Sequence, residues 1–161
     1  MNPNKALWEK GDFTEIAAFM RQSGVAVVES LKITPPLRAL DLGCGDGTTA
    51  VPLARLGAEV VGIDIAKNLV DAGNKRAAEA GLSRLAFQEG DACNLEGVAD
   101  HSFDMTVSVF GLCLRQALRC CQGDGARYEL EAVWGDLLEL QITPVLDDGE
   151  AASSLAKVHK K

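Results

Sequence analysis

Arg38-Ala39-Leu40-Asp41-Leu42-Gly43-Cys44-Gly45-Asp46-Gly47-Thr48 decides how this chain is read. Its first five residues are a short apolar run with strand character, after which glycines recur at positions 43, 45 and 47. Alternating glycines let the backbone turn tightly and approach a ligand with no β-carbon in the way. From Thr48 to Leu56 the pattern turns helical, so free amides and the positive end of a helix would face whatever the loop holds. Gly57 is expected to close that helix as a left-handed cap. Pro52 falls near its first turn, where a missing amide proton costs little.

Outward from the loop, strand and helix patterns alternate. Ala58 to Ile65 (AEVVGIDI) reads as a second strand, Asn68 to Ala80 as a helix ending at Gly81, and Leu85 to Gln88 as a third strand. Asn94 to Ala99 is a short turn or helix, and Phe103 to Phe110 (FDMTVSVF) a fourth strand. This order predicts an α/β fold, a Rossmann-like doubly wound parallel sheet with helices on both faces. On the N-terminal side, Ile16, Ala17, Met20, Val27, Val28 and Leu31 keep a helical period interrupted near Gly24, implying one bent helix or two short ones. Pro35-Pro36 stops it.

A chain of 161 residues predicts one domain with a real core. With 47% hydrophobic and 24% charged residues it is ordinary for a globular protein. Its formal charge of −7 argues against a broad phosphate-binding surface, so a small-molecule acceptor is expected rather than a nucleic acid. The N-terminus lacks the apolar segment of a signal peptide, no apolar run spans a bilayer, and a cytoplasmic location is expected. Cys44, Cys93, Cys113, Cys120 and Cys121 show no C-x-x-C spacing and read as reduced thiols, with no metal site. His101 and His159 have no visible carboxylate or cysteine partner, and no general base stands out.

The loop is not a dinucleotide fingerprint. Counted from Gly43, the third glycine comes one place early, and Thr48 stands where G-x-G-x-x-G needs glycine. An acidic residue, Asp41, sits two places before the first glycine. A carboxylate there suits a cofactor with an ammonium and a sulfonium group better than a pyrophosphate. Asp64 ends the second strand, where a carboxylate can accept both ribose hydroxyl hydrogen bonds or cap the next helix. The pattern D-x-G-x-G-x-G resembles motif I of class I S-adenosylmethionine-dependent methyltransferases, and from Asn4 to Phe110 the chain is similar to the methyltransferase type 11 group, related to ubiquinone and menaquinone C-methyltransferases.

That resemblance implies S-adenosyl-L-methionine as cofactor, held by Asp41, Gly43, Cys44, Gly45, Gly47, Asp64, Ile65, Asn68, Asp91, Ala92 and Ser108. Asp91 would meet the adenine amino group and the Ala92 amide a ring nitrogen. Ser108, Val109 and Phe110 would flank the methionine part, and Asn68 and Leu69 the ribose and adenine. The stretch LWEKGDFTEIA, with Trp8, Lys10, Phe13 and Thr14, would lie over the cofactor, although Trp8 and Phe13 equally suit packing. The implied activity is methyl transfer to a small acceptor. The alternatives are an inactive cofactor-binding fragment and a nicotinamide-dependent dehydrogenase.

Past Phe110 the resemblance fails. The family continues with a fifth strand opened by a K-P-G-G turn and then an antiparallel pair, in the strand order 3-2-1-4-5-7-6. Here Gly111 to Glu129 read GLCLRQALRCCQGDGARYE. A family-like segment, GAMFAPKPFDVAKEMVRVT, can be encoded so that loss of one G near its start and one A further on, with two more bases AA at its end, yields that string. The expected organisation is therefore an N-terminal helical cap (1–36), a cofactor-binding core (37–110), and a tail (111–161) translated out of frame. The competing reading is a genuine divergent C-terminus, in which Tyr128, Leu130, Val133, Trp134, Leu137, Leu138 and Gln141 form an amphipathic helix. Either way the sheet is expected to be truncated after the fourth strand, with that strand an open apolar edge and the chain weakly stable.

Overall fold

The computed structural model describes residues 5–11, 13–92, 94–95, 97–99 and 102–109, and the backbone of two strands, 127–134 and 138–145. Helices α1 (Lys5–Trp8) and α2 (Phe13–Ser30) precede β1 (Arg38–Leu42), α3 (Ala50–Arg55), β2 (Glu59–Asp64), α4 (Lys67–Glu79), β3 (Leu85–Glu89) and β4 (Met105–Val109). Strands β5 (Arg127–Trp134) and β6 (Leu138–Val145) follow. The sheet order is β3-β2-β1-β4-β6-β5. The first four strands are parallel, with Arg38 opposite Glu59, Val60 opposite Leu85, and Ala39 opposite Met105.

β1 lies at the centre because its residues after Arg38 tolerate full burial: Ala39, Leu40, Asp41 and Leu42 are at most 2% exposed. Successive side chains take opposite faces. Ala39, with Val60, Phe87 and Val107, joins Val28, Leu53 and Val70 in the main core, which α2, α3 and α4 cover. Leu40, Leu42 and Ile63 face the other way and are covered by Val61, Ala92, Leu95, Val98 and Phe103. Among the described residues this second face is packed by the segment between β3 and β4. Asn74 of α4 accepts a bond from the Phe87 N–H at 3.0 Å and donates to the Phe87 carbonyl at 2.9 Å, tying α4 to β3.

Element boundaries follow the sequence closely. β1 is Arg38–Leu42 as expected, and the left-handed cap stands at Gly57, with φ +99°. Helix α2 differs, since it runs unbroken through Gly24. A β-carbon on Gly24 would meet the Thr48 carbonyl oxygen at 2.4 Å, so this glycine is where α2 closes on the loop rather than a break.

The tail overturns a second expectation. The helix anticipated between Tyr128 and Gln141 is two strands, antiparallel to each other, and β6 pairs antiparallel with β4, Val107 opposite Gln141. The physical reason is the open rung of β4. Its unpaired backbone groups reward a neighbouring strand, and Tyr128, Val133, Trp134, Ile142, Thr143 and Val145 are residue types that favour one. β4 is therefore paired on both sides, and the order is that of the resembled family with its fifth strand left out. Residues 111–126 lie outside the described residues, as do His101, Phe110 and His159.

Candidate functional site

The loop leaves β1 through three glycines in the left-handed region, Gly43 at φ +68°, Gly45 at +54° and Gly47 at +90°. Gly43 and Cys44 donate their amides to the Ile63 carbonyl at 2.8 and 3.2 Å, pinning the loop to the end of β2. Gly47 N–H closes the turn on the Cys44 carbonyl at 2.9 Å. A β-carbon on Gly45 would meet none of the described residues within 4 Å, so the backbone there faces a space they leave open.

Two expected carboxylates converge on this loop. Asp64 accepts the Gly45 N–H at 2.8 Å with one oxygen and the Ala66 N–H at 2.9 Å with the other. It therefore shapes the loop, and each oxygen keeps a lone pair for a further donor. Asp41 is 1% exposed, and its Oδ2 has no hydrogen-bond partner among the described residues. Burial pushes its carboxyl up to about 8, the charge of Asp64 adds to this, and a hydrogen bond from the Ala50 amide opposes it. A buried carboxyl oxygen with no partner leaves a hydrogen-bonding position to be filled.

The remaining expected residues divide. Cys44 is buried, its Sγ donates to the Gly45 carbonyl at 3.6 Å, and burial pushes its thiol well above the ordinary value. Its side chain is packing. Ser108 is buried at the tip of β4 and donates its hydroxyl to the Leu42 carbonyl at 2.8 Å, so the hydroxyl is committed to holding β4 against β1. Ile65 is half-buried and Asn68 exposed at the start of α4, whereas Leu69 is core. Asp91 and Ala92 are half-buried in a tight turn whose Asn94 N–H donates to the Asp91 carbonyl at 2.8 Å.

The N-terminal stretch reaches the same end of the sheet. Lys5 pairs with Glu89 at the tip of β3, and Glu9 accepts the Lys67 N–H at 3.2 Å at the start of α4. The Trp8 and Phe13 rings lie 5.2 Å apart, centroid to centroid, which favours the packing role for both.

Asp46 carries a part that the sequence did not reveal. It is 1% exposed; Arg21 Nη2 donates to its Oδ2 at 2.9 Å, and Arg76 Nη1 lies 3.0 Å from its Oδ1. The Arg76 pair is off hydrogen-bonding angle at Oδ1, and the guanidinium donates instead to the Asp46 carbonyl at 2.5 Å. The only signal in the sequence was an acidic residue inside a glycine run. Nothing there indicated which arginines would meet it.

An empty space before Gly45, an unpartnered Asp41 oxygen and lone pairs on Asp64 fit a cationic, hydroxyl-bearing ligand. Comparison with known proteins agrees. A family model described as "Methyltransferase domain" matches residues 39–128, continuing past Phe110. An uncharacterized protein of Mycobacterium tuberculosis is 34% identical over 110 residues, 68% of this chain and 39% of that protein. The chain thus spans about two fifths of that relative's length. A 23S rRNA (uracil-C5)-methyltransferase of Shewanella is 39% identical over 90 residues, 55% of this chain and 20% of the enzyme. A phosphoethanolamine N-methyltransferase of Haemonchus contortus, solved with phosphomonomethylethanolamine and S-adenosylhomocysteine, is 27% identical with a TM-score of 0.50, covering 54% of this chain and 20% of that one.

Proposed function

Since the chain belongs to the methyltransferase-domain family, we propose that it binds S-adenosyl-L-methionine at the glycine loop and serves methyl transfer to a small-molecule acceptor. The observation that carries this is the buried, unpartnered Oδ2 of Asp41 beneath a loop whose Gly45 faces open space. An ammonium group would supply the partner that this oxygen lacks among the described residues. Asp64 would receive the ribose hydroxyls on its free lone pairs while keeping its bonds to Gly45 and Ala66. Asp91 and the Ala92 amide would read the adenine edge, with Ile65 and Asn68 beside it.

The bound sulfonium supplies a methyl group already activated for attack. The protein's task is to align the acceptor and exclude competitors. The formal charge of −7 favours a small acceptor over RNA, although the Shewanella relative acts on rRNA. We read residues 111–161 as translated out of frame, which would leave a chain that binds cofactor but turns over poorly. Resequencing the gene around codon 110 tests that, and an intact frame with no family-like alternate frame would end it.

The function is tested by calorimetry with S-adenosylhomocysteine and NADH, run beside a radiolabelled methyl-transfer assay on small-molecule and RNA acceptors. The expected result is binding of S-adenosylhomocysteine and neglect of NADH. Binding without transfer would identify an inactive cofactor-binding fragment, and labelled RNA would overturn the small acceptor. NADH binding with S-adenosylhomocysteine ignored would overturn the proposal and favour a dehydrogenase.

A further inference from the structure

Asp46 has no part in the roles proposed above, yet among the described residues it is the buried carboxylate that forms ion pairs with two arginines. It sits between Gly45 and Gly47, two of the loop's three glycines, the residue type with the most backbone freedom to lose on ordering. Its two cations come from different helices, Arg21 from α2 and Arg76 from α4. Arg76 also holds the Asp46 carbonyl, so both the side chain and the backbone of this residue are fixed. A buried carboxylate stripped of such partners is strongly unfavourable, so the three groups stand or fall together.

A second contact joins the same elements: α2 closes on the loop at Gly24, where a β-carbon would lie 2.4 Å from the Thr48 carbonyl oxygen. Asp64 grips the loop one residue earlier, at the Gly45 amide. We propose that Asp46 is a positioning residue, which, clamped by Arg21 and Arg76, locks the glycine loop in its ligand-receiving shape and makes the seating of helix α2 part of the same event. The ligand side of this inference rests on the function proposed above. Its gain is preorganisation: ordering done before binding is not charged against affinity.

The test combines hydrogen exchange of the ligand-free protein with calorimetric titration of S-adenosylhomocysteine. Asp46→Asn keeps the shape and removes the charge. It is expected to speed exchange at the Gly45 and Gly47 amides and in α2 together, each by roughly tenfold, and to weaken binding by a similar factor. The Asp46→Asn/Arg76→Gln double variant should be little worse than either single one, because they break one network. Should Asp46→Asn fail to fold, Arg21→Gln carries the same test, since Arg21 is half-exposed and its loss leaves Arg76 in place. Arg21→Lys, which retains the charge, should recover most of the protection. Unchanged loop exchange in Asp46→Asn or, where that variant does not fold, in Arg21→Gln would overturn the clamp. Additive losses in the double variant would do the same. If the wild-type protein ignores S-adenosylhomocysteine while loop and α2 exchange still respond together, the clamp stands and the functional proposal falls.

Discussion

Behind Gly47 the space a β-carbon would take belongs to the Phe87 ring, 2.5 Å away, whereas in front of Gly45 the same construction meets none of the described residues within 4 Å. Two glycines of one loop therefore lack side chains for opposite reasons. Around Phe87 the filled side is shared: β-carbons on Gly62 of β2 and Gly73 of α4 would approach the same ring at 2.9 and 2.8 Å. One aromatic side chain from β3 thus sets how closely the loop, the sheet and α4 come together. A glycine-rich loop can receive a ligand on one side only, and packing on the other side makes it rigid enough to do so.

The largest effect should come from removing that ring. Phe87→Ala is expected to cost about 4 kcal/mol in denaturant unfolding, and a loss under about 1 kcal/mol would mean the three glycines do not depend on it. Gly47→Ala should follow at about 3 kcal/mol, combining the clash with a left-handed φ, measured the same way. Gly45→Ala sharpens the contrast. Its unfolding penalty should be only about 1 kcal/mol, for φ alone, yet S-adenosylhomocysteine binding by calorimetry should fall roughly tenfold or more, about 1.4 kcal/mol. Equal losses of stability in the two glycine variants would erase the distinction between the sides.

The smallest effect concerns pH. Asp41 ionises near 3.8 when unfolded and holds its proton to about 8 when folded. Its share of stability is therefore greatest at low pH and is lost as pH climbs between those values. An ammonium ligand favours the ionised form, so binding expels a proton and S-adenosylhomocysteine affinity should rise between pH 6 and 8, then level. Partial release makes the rise about threefold per unit. Asp41→Asn should flatten the profile. A wild-type profile already flat would remove Asp41 from the ligand's side of the loop.

Much of this was legible because it is local. The strand at Arg38–Leu42, the left-handed Gly57 and the carboxylate at Asp64 are written in short stretches whose chemistry admits few conformations. Gly24 misled because a glycine in a helical pattern reads as a break, whereas here the missing side chain admits Thr48 from 24 residues away. Asp46 was unreadable for the same reason, since its partners lie 25 and 30 residues distant in opposite directions. Ser108 was located, but its hydroxyl is taken by Leu42 of the adjoining strand. The tail's helical period misled because the rung left by β4, a property of the assembled sheet, takes up a strand there.

Asn74 has a consequence for the company the protein keeps. β3 ends the sheet, and the amide of Asn74 engages both the N–H and the carbonyl of Phe87, which a neighbouring strand would otherwise bind. The middle rung of that margin is occupied before any other polypeptide arrives. Recruitment of further copies into a growing fibril from this side must first evict a side chain that belongs to the protein itself.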